Sequence, residues 1–167
     1  MVATLRPAQH ADLTRLTEIY DWYVERSDAT FDDTPATISE REQWFAAHKA
    51  DGPHQLLVAE ISGSVAGYAS SSPYCPHPAF STTVETSIYL DPAMRGQGLG
   101  RHLYGELLHR LASQPVHLVV AGVALPNPAS LSLHRSLGFL EVGTFTEYAV
   151  ERGRRTSSTW FERLMYR

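Results

Sequence analysis

Between Ser87 and Leu111 the side-chain period changes from two to four, and three glycines sit at the changeover, so the chain runs strand, tight turn, helix. Before the turn, Val84, Thr86, Ile88 and Leu90 share one strand face, while Glu85, Ser87 and Tyr89 share the other. Pro92 ends the strand. Beyond it, Leu99, Leu103, Leu107 and Leu111 form an apolar stripe that Tyr104 and Leu108 widen, with His102, Glu106 and Arg110 opposite. Gly96, Gly98 and Gly100 let a ligand approach the backbone, and the free N–H groups and positive dipole end of the helix favour an anion. A pyrophosphate fits such a turn. A nucleotide P-loop is disfavoured, because Gly100 is followed by Arg101-His102 and not Lys-Ser or Lys-Thr; the dinucleotide spacing Gly-x-Gly-x-x-Gly is missing too. Taken alone, so short a glycine pattern also suits a plain softened turn before an ordinary helix.

With 167 residues, 43% hydrophobic and 19% charged, the chain is expected to form one domain over residues 1–167 with a substantial core. The formal charge of -4, without a long Lys/Arg run, argues against a broad nucleic-acid footprint. Arg152, Arg154 and Arg155 form a small basic cluster expected to be a solvated turn or a local anion contact. No signal peptide is recognisable, and no apolar run approaches the roughly 18 residues that cross a bilayer, so a cytoplasmic location is expected. Cys75 is the sole cysteine, which excludes an internal disulfide and a cysteine zinc site. Its setting, Pro73-Tyr74-Cys75-Pro76-His77-Pro78, predicts a loop.

Elsewhere the patterning predicts a strand over Val2–Arg6 and a helix from Ala11 to about Ser27, carried by Leu13, Leu16, Ile19, Tyr20 and Tyr23. Ser39 and Glu42 form a capping box for a second helix running through Trp44, Phe45 and His48 to Asp51-Gly52-Pro53. Leu56–Ile61 and Ser64–Ala69 flank Ser62-Gly63 as a hairpin, and Thr82–Leu90 is the next strand. Val116–Ala121 is almost continuously apolar, as in a central strand covered on both faces. Asn127 caps a helix with Pro128 at its first position, Leu133 and Leu137 on one face and Gly138 as its stop. Phe139–Phe145 and Thr159–Met165 close the chain as strands. The order β-α-α-β-β-β-α-β-α-β-β is a mixed α/β sandwich in which one helix links two parallel strands.

Two ordered segments, Arg95-x-x-Gly98-x-Gly100 and Asn127-Pro128-Ala129-Ser130-Leu131-Ser132-Leu133-His134-Arg135-Ser136-Leu137-Gly138-Phe139, resemble the coenzyme A loop and downstream helix of the GNAT N-acetyltransferases. The likeness covers the whole chain, and it implies the GNAT fold, a mixed central β-sheet flanked by helices. Within the superfamily it is nearest to phosphinothricin acetyltransferase and the enzymes acetylating methionine sulfone and sulfoximine. Thr83-Val84-Glu85, Leu103-Tyr104, Leu125-Pro126-Asn127 and Leu133-His134 carry that finer match.

The resemblance implies acetyl-CoA as cosubstrate, no metal, and transfer to the primary amine of a small amino-acid-like acceptor. A protein or peptide acceptor, or a non-catalytic acyl-CoA-binding module, are its rivals. An amine of pKa near ~10 is almost wholly protonated at neutral pH, so a base must free its lone pair. By resemblance that base is Glu85, acting directly or through a water. His134 stands where the superfamily commonly has tyrosine; proton donor to the leaving thiolate, base at one remove, or cofactor contact are its candidate roles. The backbone N–H of Tyr89 or Leu90 is expected to bind the thioester oxygen. Ile88, Tyr89 and Leu90 would contact the acetyl-pantetheine arm. Arg95, Gly96, Gln97, Gly98, Leu99, Gly100 and Arg101 would hold the pyrophosphate, and Asn127 and Ser136 complete the cofactor set. Phe31 and Phe80 match apolar acceptor-pocket positions. Cys75 and Ser81 fall where relatives carry carboxylate-binding arginines, and Glu151–Ser157 keeps only Gly153 of a subgroup pattern. Arg154 or Arg155 is the candidate replacement for that lost charge. A homodimer is implied, with no nucleic-acid or membrane partner.

Overall fold

The computed structural model describes residues 3–165. Its strands are β1 (Thr4–Pro7), β2 (Leu56–Ile61), β3 (Ser64–Pro73), β4 (Thr83–Leu90), β5 (Leu118–Ala124), β6 (Leu140–Glu151) and β7 (Arg154–Leu164). Its α-helices are α1 (Leu13–Arg26), α2 (Ile38–Ala46), α3 (Leu99–Leu111) and α4 (Pro128–Ser136), which gives the expected order of elements. All seven strands lie in one sheet, ordered β1-β2-β3-β4-β5-β7-β6. Among the described residues only β4 and β5 pair as parallel strands, as expected of two strands joined by a helical crossover, here α3. Among the described residues no helix is long and apolar enough to cross a membrane.

The two sheet faces bury different partners. Val84 on β4 and Val119, Ala121 and Val123 on β5 face Leu103, Tyr104, Leu107 and Leu111 of α3, every one of them under 4% exposed. Leu57, Ala59 and Ala69 close the same core. On the opposite face, Val58 and Tyr68 meet Leu16, Ile19 and Tyr23 of α1, with Tyr89 packed against them. The alternation read from the sequence of β4 therefore holds: even-numbered side chains face α3 and odd-numbered ones face α1 and α2.

The ladder between β4 and β5 has three rungs, Thr83↔Leu118, Val84↔Val119 and Glu85↔Val120. Both strands run on past the last rung, to Leu90 and Ala124, so they part and leave a V-shaped opening in the sheet.

Several boundaries differ from the sequence expectation. The second helix is capped by Thr37 with Glu40, not Ser39 with Glu42; the Thr37 hydroxyl accepts from the Glu40 N–H, and the Glu40 carboxylate accepts from the Thr37 N–H at 2.7 Å. Both pairs satisfy the capping-box spacing, and the extended Thr37 backbone lets the helix start two residues sooner. It stops at Ala46, short of His48. β1 extends through Pro7, which pairs with Leu57, and Val2 lies outside the described residues. β3 continues to Pro73, and β5 is shifted to Leu118–Ala124. β5 is covered on one face only at its end, since Gly122 is exposed where the V opens. The last two strands form a longer hairpin with its tip at Arg152-Gly153. That tip is exposed and makes local contacts with anions, both within the expectation for the cluster: the Arg152 N–H donates to Asp33 Oδ1 at 2.7 Å and Arg154 Nη2 to Asp28 Oδ1 at 2.8 Å.

Gly67 lets β3 lie close to β4, because a Cβ there would meet Tyr89 O at 2.9 Å and Leu90 Cδ2 at 2.5 Å. A backbone oxygen cannot be moved by a rotamer change. Gly67→Ala is therefore expected to lower stability by about 1–3 kcal/mol in urea titrations and to weaken binding at the adjoining opening. An unchanged midpoint would show that the two strands tolerate the extra atom.

Candidate active site

The opening between β4 and β5 holds a cavity of about 550 Å³, walled by Thr86–Leu90 and Gly122–Ala124 and closed by the start of α3 and by α4. Gly98 is the N-cap of α3 and offers no side-chain cap. The N–H groups of Leu99, Gly100 and Arg101 are consequently without intrahelical partners, the first closure being His102 N–H to Gly98 O at 3.2 Å. Gly96 and Gly98 have φ of 74° and 78°, a left-handed turn, and with Gly100 they line the cavity. Arg95 lies beside them, its guanidinium 4.6 Å from the Trp22 ring centroid and 4.8 Å from that of Tyr23. Arg101 lines the same cavity. Two cations and a helix N-terminus without a capping side chain fit a diphosphate.

Along β4, the Asp91 N–H bonds Ala66 O at 2.9 Å, so odd-numbered residues direct their amides to β3. Tyr89 is thereby committed to the ladder. Leu90 points the other way but faces the Tyr23 hydroxyl, which donates to Leu90 O at 2.7 Å and lies 3.4 Å from its N–H. By the same alternation, Ile88 turns its N–H into the opening, a residue earlier than the expected pair. Tyr23 also accepts from Arg95 Nε at 3.3 Å. Its part in the site rests on contacts about 70 residues away in sequence, at separations of 67 and 72, and only helical periodicity marked it beforehand.

Glu85 and His134 sit on opposite sides of the sheet. Glu85 is level with Ser72 of β3 and Val120 of β5, at the closed apex of the V, and is half-buried. Burial alone holds its carboxyl above the ordinary value of 4.5. At about 3.3 Å per residue, its Cα is roughly 10 Å from that of Ile88. His134 is 3% exposed and stacked on Phe161 with ring centroids 5.3 Å apart. Its Nδ1–H donates to Ser130 O at 2.8 Å, which leaves Nε2 to accept from the Tyr104 hydroxyl at 3.2 Å. Tyr104 in turn meets Thr86 Oγ1 at 2.6 Å. A chain of four polar groups thus crosses the core from α4 to β4.

A second cavity of about 510 Å³ lies on the α1 and α2 side. Arg41, Trp44, Tyr20 and Asp32 line it from the helices and their loop, and Tyr68, Ser70 and Ser72 from β3. Ser87 and Tyr89 line both cavities, so one strand's thickness separates them.

Of the expected cofactor residues, Ile88, Tyr89, Leu90, Arg95, Gly96, Gly98, Gly100, Arg101, Asn127 and Ser136 line the first cavity. Gln97 turns its amide back to Ala93 O at 3.3 Å, and Leu99 packs into the core. Asn127 Oδ1 caps α4 by accepting from the Ser130 N–H at 3.1 Å. The two acceptor aromatics stand outside both cavities: Phe31 packs edge-on to Tyr148 at 5.9 Å, and Phe80 to Tyr74 at 5.7 Å.

Desolvation lowers the His134 pKa from 6.5, and the Ser130 carbonyl opposes this only in part. Near neutral pH its imidazole is expected to be neutral, with Nδ1 protonated and Nε2 bare, by nitrogen-detected NMR. Below 6.5 the unfolded chain binds a proton that the folded one refuses, so stability falls as pH drops towards the lowered value. Two protonated ring nitrogens near neutral pH would contradict this assignment.

Residues 16–139 match the Acetyltransferase (GNAT) family. A phosphinothricin N-acetyltransferase of Streptomyces coelicolor is 43% identical over 161 residues, covering 95% of this chain and 94% of that protein. An L-methionine sulfoximine/L-methionine sulfone acetyltransferase of Pseudomonas paraeruginosa is 35% identical over 162 residues, covering 97% and 94%. The crystal structure of a GNAT superfamily phosphinothricin acetyltransferase from Sinorhizobium meliloti in complex with acetyl-CoA has a TM-score of 0.93 and 34% identity, covering 99% of this chain and 89% of that one. With the parted strands, the glycine turn and the order of elements all accounted for, the chain belongs to the GNAT family of acetyltransferases.

Proposed function

We propose that this protein transfers an acetyl group from acetyl-CoA to the primary amine of a small amino-acid-like acceptor, in a ternary complex and without a covalent enzyme intermediate. Two cavities that meet at Ser87 and Tyr89 support it: one suits a diphosphate-bearing donor, the other a small acceptor, and only β4 lies between. Acetyl-CoA, when bound, supplies an acyl carbon already activated as a thioester. The amides at the start of α3, with Arg95 and Arg101, hold the diphosphate; the free Nδ2 of Asn127 reaches the pantetheine arm. The Ile88 N–H polarises the acyl oxygen, a stationary dipole that gains strength as negative charge develops. Glu85, through water, takes the amine proton. His134 is a positioning residue here, since its bare nitrogen is bound to Tyr104 and fixes that hydroxyl beneath Thr86.

Thiol release with L-phosphinothricin, L-methionine sulfone and a peptide bearing a free α-amine tests the reading, with the two small acceptors expected to be turned over and the peptide not. Glu85→Gln is expected to lower kcat/KM by about 10²- to 10⁴-fold near neutral pH. The deficit should shrink as pH approaches the amine pKa, where the acceptor deprotonates unaided. For the parent enzyme, kcat/KM falls on the acid side as the buried Glu85, its pKa raised above 4.5, takes up a proton. A deficit of the same size at high pH would remove Glu85 from the base role.

A homodimer is part of the proposal. β6 is an edge strand on which Leu140, Val142 and Val150 are 69%, 64% and 63% exposed, beside the exposed rings of Phe145 and Tyr148. An apolar edge of this kind is a liability unless covered. Sedimentation is expected to give twice 18.6 kDa, and Val142→Glu to give the single-chain mass. A parent protein that sediments as one chain would refute the dimer.

A further inference from the structure

We infer that Arg41 is the carboxylate anchor of the acceptor site and so the residue that makes the enzyme prefer amino acids to simple amines; this rests on the acetyl-transfer reading above. Arg41 is 6% exposed and lines the second cavity. Its guanidinium is stacked 4.1 Å from the Trp44 ring centroid and 5.2 Å from that of Tyr20, and its Nε donates to Thr17 Oγ1 at 3.3 Å. Its Nη2 is buried with no acceptor; the Asp21 carboxylate attracts it at longer range, but no carboxylate of the described residues lies within ion-pair distance of it. A buried guanidinium whose Nη2 makes no hydrogen bond is costly, and an arriving carboxylate lowers that cost through a planar, charge-assisted contact.

The other cations are spoken for or distant. Residues 74–82 contain no Lys or Arg. Arg154 is held by Asp28, and the exposed Arg155 reaches only Glu147 O, at 3.5 Å. Arg15 is bound by Glu18 and Asp91. Arg41 is also at the right level. Trp44 beneath it lies 5.7 Å from Tyr68, ring to ring, and Tyr68 is the ladder partner of Tyr89, next to Ile88. Arg41 and the β4 residues Ser87 and Tyr89 line the same cavity, so a carboxylate held at Arg41 leaves the amine end of an amino acid on the side of β4. The two acidic side chains lining this cavity are already engaged, Asp32 by the Tyr20 hydroxyl and Glu40 by the cap of α2. They place negative charge at the rim, which draws in an ammonium group, while Arg41 marks the carboxylate end.

The test compares each of L-methionine sulfone and L-phosphinothricin with its α-carboxamide, in the parent enzyme, Arg41→Lys and Arg41→Gln, with acetyl-CoA titrated separately. The parent is expected to favour the carboxylate form by about 10- to 100-fold in KM. Arg41→Gln should abolish that preference while leaving acetyl-CoA affinity within about twofold, and Arg41→Lys should retain part of it. Equal KM values for carboxylate and carboxamide in the parent overturn the anchor whether or not any variant folds. So does a preference that survives in Arg41→Gln, or a parallel loss on both acceptor forms, which would make Arg41 a structural brace between α1 and α2. Acetyl-CoA binding without transfer to any acceptor would overturn the transferase reading, and the anchor with it, whereas transfer without discrimination removes the anchor alone.

Discussion

The parting of β4 from β5 after the Glu85↔Val120 rung is the constraint on which the site depends. Main-chain amides inside a sheet must find partners, so two strands that stop pairing while still extended are costly unless something else meets their polar groups. Here the Tyr23 hydroxyl serves Leu90 from the α1 side, and Gly122 makes room for the Trp160 ring, which a Cβ there would meet at 3.0 Å. What is left is an amide row facing an opening, with the start of α3 at its mouth. A ligand with a long, amide-rich arm and a diphosphate end suits that geometry better than a compact one.

Rigidity on the α3 side contrasts with openness on the other. Thr86, Tyr104 and His134 are all under 5% exposed and bonded in series, so β4 is fixed to α3 and α4 by directional contacts as well as apolar area. A buried polar chain is stabilising only when every member is satisfied. The Ser130 carbonyl meets that condition by fixing the His134 tautomer. A charged imidazole would have two donors, and the one at Nε2 would compete with the Tyr104 proton. Neutrality of His134 is thus a condition of the packing, and it argues against using the same ring as a ready acid.

Much of this was legible before any coordinates. The shift of period at Leu99 and the glycines before it located α3 and its anion-binding end, because both signals are local. Asn127-Pro128 located α4 for the same reason. The capping box was misplaced by two residues because Thr37/Glu40 and Ser39/Glu42 obey one spacing rule, and the backbone of Thr37 decides between them. Tyr23 and Arg41 were not legible as site residues. Each lies on a helix with ordinary amphipathic spacing, and its significance comes from strands that reach it from far along the chain. The hydroxyl of Tyr104 was hidden in the same way, since its ring alone explains its place in the apolar stripe.

Charge at the hairpin tip adds one more step. Arg154 and the Arg152 N–H bind Asp28 and Asp33, which lie on the loop between α1 and α2. That loop also carries Thr30 and Asp32, the partners of Tyr20 at the rim of the acceptor cavity. The β6–β7 hairpin therefore braces the acceptor side from the opposite end of the sheet. Glu151, 1% exposed beside these aspartates, has its pKa raised by burial first and by Asp28 next, so its ionisation opposes the bracing that the arginines supply. The rim of the second cavity and the hairpin tip are therefore joined across the sheet by two contacts, Arg154 to Asp28 and the Arg152 N–H to Asp33, although exposed contacts of this kind hold a loop only weakly.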